Sequence, residues 1–202
     1  MVSKELVIIF VITFMLPSCY GLNKKLERDG YIEWVRNEKN GLKKIKVIGD
    51  IEILVQYKPM ELMALREYNN DGPDKFAKVV GQYKGMQYYD VSIDMVKGNE
   101  TVLKKGLRSE QEFYDRLYYF SYGAKNDITL IENGVRKECK LYHFERSYDL
   151  SKHSTILLGF EEESGHESDS KILEFNATAL HLGIVKIEIE SSDLKKIPQV
   201  KI

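Results

Sequence analysis

Two cysteines, Cys19 and Cys139, are all that this chain of 202 residues contains. A disulfide framework and a cysteine-based metal site are therefore excluded, and the fold must be held by packing. Charge of one sign is missing as well: 30 Lys and Arg stand against 31 Asp and Glu, for a net charge of −1. Nucleic-acid binders show a clustered basic face, and this balance speaks against that class of partner. It also offers no polybasic patch for anionic headgroups. The longest apolar run, Leu6 to Leu16, is eleven residues, whereas a helix that spans a bilayer needs about 20. His143, His153, His166 and His181 form no HxH, HxxxH or HExxH pair, so no zinc site is written in the chain. Neither GxGxxG nor GxxxxGK[ST] occurs, and Ser121-Tyr122-Gly123 is no nucleophile elbow. Nothing calls for a cofactor. Internal repeats, coiled-coil heptads and low-complexity runs are absent too.

What is present begins at the N-terminus. Lys4, the apolar run to Leu16 and then Pro17-Ser18-Cys19 follow the order of a charged region, a hydrophobic region and a cleavage site, which marks an export signal. Leu16-Pro17-Ser18-Cys19 resembles the lipobox of bacterial lipoproteins, in which a branched apolar residue sits three positions before an obligatory cysteine and a small residue directly before it. Leu16, Ser18 and Cys19 fill those positions. The resemblance implies cleavage before Cys19 and acylation of its thiol and amine. One acyl chain holds a protein reversibly at about 0.8 kcal/mol per buried methylene, and two or more hold it stably. An ordinary signal peptidase site, with Cys19 incidental, is the alternative. The Lys, Asn, Tyr and Ile content, taken with the short signal, resembles envelope lipoproteins of the Bacteroidota type. That implies a place in the cell envelope, at the outer rather than the inner membrane.

Residues 1–18 thus read as a signal peptide, 19–30 as a lipidated polar tether, and 31–202 as one globular domain. With 43% hydrophobic and 11% aromatic residues the domain can build a sizeable core. The segment Gly30 to Pro59 reads as a pair of strands, in which Ile45–Val47 and Ile51–Tyr57 alternate around the Gly49-Asp50 turn. Helices are predicted from Pro59 to Tyr68, over 74–84, and from the capping-box pair Ser109 and Glu112 through Tyr122. Met86 to Val96 reads as a half-buried strand. Asn133-Gly134 joins Asp127–Ile131 to a strand over Val135–Phe144, and Thr155–Phe160, Lys171–Phe175 and Ile184–Ile189 complete a meander. Ser192-Asp193 caps a final helical turn. The fold class is α+β: mainly antiparallel sheet with two or three helices packed on one side.

Few constellations suggest chemistry. Asp90 and Asp94 share a strand face but lie roughly 13 Å apart along it, so a solvated face is expected rather than a carboxylate pair. The loop Glu161–Asp169 is rich in oxygen ligands but lacks the spacing of a calcium loop, and reads as a soluble hairpin tip. Cys139, among charged neighbours in an expected strand, reads as a small buried hydrophobe. Of Tyr88 and Tyr89, one should be exposed, because neighbours on a strand point to opposite faces. Thirteen tyrosines supply rigid area with a polar tip, which suits recognition surfaces. The expected function is that of a membrane-anchored binding or assembly module that holds an envelope protein or a glycan. The alternative is an envelope hydrolase with a site assembled from dispersed residues. A pocket gathering His143, Asp90, Asp94 or the acidic loop would favour the enzyme, and an exposed patch with tyrosines would favour binding.

Overall fold

A computed structural model describes residues 24–98, 100–146 and 153–202. Cys19 and the signal segment lie outside these residues. The elements in order are β1 (Lys25–Glu27), α1 (Arg28–Arg36), β2 (Lys43–Ile48), β3 (Ile51–Lys58), α2 (Met60–Glu67), α3 (Pro73–Gln82), β4 (Met86–Met95), α4 (Glu110–Tyr118), β5 (Ile128–Glu132), β6 (Val135–Glu138), β7 (Leu141–Glu145), β8 (Ser154–Glu161), β9 (Lys171–Asn176), β10 (Ile184–Ile189), α5 (Ser191–Leu194) and β11 (Gln199–Lys201). The protein is α+β, and its two main sheets are antiparallel. One has the order β2-β3-β4-β8-β7 and the other β10-β9-β5-β6, while β1 pairs in parallel with β11.

Alternation in the sequence decides which faces meet. Ile51, Ile53, Val55 and Tyr57 of β3 point inward with Tyr89, Val91 and Ile93 of β4 and Ile156, Leu158 and Phe160 of β8. From the other sheet, Ile128 and Leu130, Leu173 and Phe175, and Val185, Ile187 and Ile189 join the same core cluster. Each such fully buried side chain contributes about 1.5–3 kcal/mol. β10 lies beside β2, and the Lys46 ammonium donates to the Lys186 carbonyl across this seam at 3.2 Å. The Asn133-Gly134 turn has φ of +51° and +76°, the type I′ geometry that matches strand twist. Helix α4 starts on its expected cap: Ser109 Oγ accepts from the Glu112 amide at 3.2 Å, and the Glu112 carboxylate accepts from the Arg108 amide at 2.8 Å.

Four expectations are corrected here. Residues 25–30 are not tether: they form β1 and the first turn of α1. The segment from Gly30 opens in helix, with Tyr31 and Val35, four apart, turned into the core. Gly30 in the first turn disguises it, since glycine costs a helix about 1 kcal/mol. The strand expected over 135–144 is two strands in two different sheets. The chain changes sheets at Cys139-Lys140, where the Lys140 amide donates to the Gly159 carbonyl at 2.8 Å. Tyr88 and Tyr89 are both buried, because Tyr83 at the end of α3 packs edge-on against Tyr88 with centroids 5.6 Å apart.

Candidate binding site

The β10-β9-β5-β6 sheet carries charge inward at one end, where Glu162, just past β8, meets it. Glu132 and Lys171 are direct partners in the β5–β9 register, on the face that bears Leu130 and Leu173. The Lys171 ammonium, fully buried, donates to Glu132 and, at 3.2 Å, to Glu162; Lys137 closes on the other Glu132 oxygen. Burial alone would raise the Glu132 carboxyl, but hydrogen bonds from Lys137 and Lys171 outweigh it and hold the group below its usual range. Burial dominates at Glu162 and pushes it up, against the pull of Lys171. Beside them the Tyr89 hydroxyl donates to Gln87 Oε1 at 2.8 Å, and Tyr57 packs edge-on to Tyr89. The sequence held a signal for this cluster. Counting by twos from Ile128 lands on Glu132, and from Phe175 back on Lys171, so opposite charges occupy inward positions at the same sheet end.

The residues singled out in the sequence do not gather. Asp90 pairs with the buried Lys58 at 2.9 Å. Asp94, expected on a solvated face, is buried and meets His153 Nδ1 at 2.8 Å; its register partner on β3 is Glu52. His143 is exposed on β7 and His181 follows β9. The acidic loop is spent on its neighbours: Glu161 faces Lys140 at 3.9 Å, Glu163 faces Lys137 at 3.7 Å, and Asp169 accepts from His166 and Asn133 at 2.6 Å each. Among the described residues no group of three His, Cys, Asp or Glu is placed to hold a metal ion. Cys139 is buried with its thiol on the Leu141 carbonyl at 2.9 Å, and burial raises its pKa.

A different set of residues forms an open cleft at the free edge of β7. Helix α4 ends in a π-wound turn over Tyr119–Gly123, a rare conformation found often at functional sites. Its loose carbonyls are satisfied by side chains: Ser121 Oγ donates back to the Leu117 carbonyl at 2.7 Å, and the Tyr142 hydroxyl donates to Phe120. Phe120 stacks on Phe144 with centroids 5.6 Å apart, which fixes the turn against β7. Between them is a cleft of about 460 Å³ whose rim carries Lys125, Lys140 and Arg146, with Tyr122 and His143 beside them. Among the described residues no carboxylate lines it. Arg146 Nη2 donates to Ser121 Oγ at 3.0 Å.

Next to the cleft, Tyr114, Tyr118 and Tyr122 recur at intervals of four and form an exposed stripe. They are 53%, 68% and 63% accessible, which sets them apart from the buried Tyr31, Tyr57, Tyr68, Tyr88 and Tyr89. The Tyr118 and Tyr122 rings lie 5.2 Å apart. This spacing was present in the sequence, hidden there by the adjacent run Tyr118-Tyr119 and by the apolar series Phe113, Leu117 and Phe120. No helix among the described residues is long and apolar enough to cross a membrane.

No protein-family model matches the chain, and no curated protein does. Among solved structures, a DUF4426 family protein from Pseudomonas aeruginosa PAO1 is similar at 8% identity and a TM-score of 0.33, over 73% of this chain and 90% of that one. At that level the likeness bears on neither fold nor function.

Proposed function

We propose that the protein is a lipoprotein of the bacterial cell envelope, anchored through Cys19 at the outer membrane, and that it works there as a binding module. The observation that carries the binding reading is the stripe Tyr114, Tyr118 and Tyr122 beside an open cleft. Soluble proteins seldom leave large side chains exposed in a row, and tyrosine is favoured where a rigid surface must meet a partner. The alternative enzyme reading loses support because Asp90, Asp94, His143 and the acidic loop stay apart. The anchor reading is supported by the order Lys4, Leu6–Leu16 and Leu16-Pro17-Ser18-Cys19. With β1 starting at Lys25, the folded body begins six positions after Cys19 and is held close to the bilayer.

Two measurements test this. Cys19→Ala moves the protein from the membrane fraction to the soluble fraction; an unchanged distribution refutes the anchor. A photo-crosslinking amino acid placed at Tyr118 in the intact envelope yields a discrete adduct that the same group at exposed Lys186 does not. Equal patterns at the two positions, or none at Tyr118, refute the binding face.

A further inference from the structure

We infer that the cleft between the π turn and β7 takes an acidic saccharide, with the anionic group on Arg146 and Lys125 and the sugar ring on Tyr122 and Tyr118. This inference rests on the envelope-binding reading above and names the class of ligand. The cleft volume of about 460 Å³ lies within the range of small-ligand sites, about 300–1,000 Å³.

The charge of the site is local. The chain as a whole is balanced at −1, yet three basic side chains stand on this rim with no carboxylate among the described lining residues. Among the described residues Lys140 meets only the exposed Glu161, at 3.9 Å, and Lys125 and Arg146 meet no carboxylate within 4 Å. Uncompensated cations converging on a concavity favour an anion there. Arg146 is also oriented in advance. Ser121 Oγ accepts one of its N–H groups while being fixed itself on the Leu117 carbonyl. The rest of the guanidinium fork stays available for a carboxylate or phosphate.

The neighbouring rings decide the rest of the ligand. A sugar ring is apolar on its C–H face and polar at its edge, which matches a tyrosine with its ring exposed and its hydroxyl in water. Tyr122 lines the cleft and Tyr118 continues its surface outward, the pair 5.2 Å apart at their centroids. An anion in the cleft therefore has the Tyr122 ring beside it, and the Tyr118 ring, tilted by 52° to it, offers a second face for a further sugar. The cations form one cluster instead of a stripe, so a single charged unit is held at a time, in contrast to the phosphate track of a nucleic acid.

Titration calorimetry of the full chain in detergent micelles tests the inference, using trigalacturonate, its methyl ester, maltose 1-phosphate and AMP as probes. The expected result is saturable binding of trigalacturonate, of maltose 1-phosphate, or of both, which also tells carboxylate from phosphate. The methyl ester binds at least about tenfold more weakly, as does the acidic probe to Arg146→Gln or Lys125→Gln, the loss expected for one charge-assisted contact. Tyr122→Ala weakens binding with unchanged far-ultraviolet circular dichroism. The inference is overturned if neither acidic saccharide saturates, if the ester binds equally, if Arg146→Gln has no effect, or if AMP binds more tightly than both saccharides. An adduct at Tyr118 together with failure of the saccharides removes the ligand class and leaves the binding module. Saccharide binding by a chain that stays soluble removes the anchor alone.

Discussion

Replacing Lys171 with methionine tests the buried charge cluster directly. Lys171 is fully buried between Glu132 and Glu162, whose side chains are only 2% and 4% accessible. Breaking a buried ion pair from one side costs about 3–5 kcal/mol, because a charge is left without compensation. Glu132 keeps Lys137, so the loss falls mainly on Glu162 and the lower end, about 3 kcal/mol, is expected at pH 7.5. The pH dependence has a definite sign. Glu132, held below the usual carboxylate range, contributes stability above that range and loses it as pH falls through its folded value. Glu162 is pushed up and does the reverse, costing stability near neutrality and being relieved as pH falls. Without Lys171, Glu162 is pushed higher still, so the gap between wild type and Lys171→Met narrows from pH 7.5 to about pH 5. Urea unfolding of the Cys19→Ala chain, followed by far-ultraviolet circular dichroism, measures both quantities. A cost below about 1 kcal/mol at pH 7.5, or a gap that widens with acid, refutes the reasoning. Adding Glu162→Leu to Lys171→Met removes the orphaned acid and restores most of the loss.

Gly41 sits at φ +81° with the Asp193 side chain where a Cβ would stand. Gly41→Ala should cost about 1–2 kcal/mol from the left-handed backbone alone, and more from displacing Asp193 off Lys44 and Lys196; a melting temperature within a degree of wild type would contradict this. A hydrogen bond to Asp169 raises the His166 pKa, and both groups are partly exposed. The stabilisation it lends is complete below the ordinary imidazole range and fades as pH rises through the folded value. An NMR titration should therefore give a midpoint above 6.5 that Asp169→Asn brings down. Cys139, buried with a raised pKa, should react with a thiol reagent such as DTNB only after denaturation. Cys139→Ser should destabilise by about 1–3 kcal/mol through burial of a hydroxyl.

Local rules made most elements legible, because each announces itself within a few residues: alternation in β3 and β4, Asn133-Gly134 for the β5–β6 hairpin, Ser109 with Glu112 for α4. The failures have a common cause in tertiary context. No glycine or proline interrupts 135–144, so no turn residue marks the point where the chain leaves one sheet for the other. The pleat sends one of Tyr88 and Tyr89 to water, and only the arrival of Tyr83 from α3 leaves both buried. Asp94 was placed on a wet face by the same rule, and His153, fifty-nine positions away, removes it. The cleft was the least legible feature. Its walls come from a π turn and an edge strand whose meeting depends on Tyr142 reaching the Phe120 carbonyl, a contact that no spacing encodes.

The parallel pairing of β1 with β11 also makes the last residues of the chain a control on reach. With Gln199–Lys201 in place, Lys25 to Glu27 belong to the body. If β11 is stripped away, those three residues join the segment that leads back to Cys19 and lengthen it by roughly 10 Å. Under the proposed anchor at Cys19, β11 would thus clasp the tether, and removing it would let the cleft stand farther from the membrane surface.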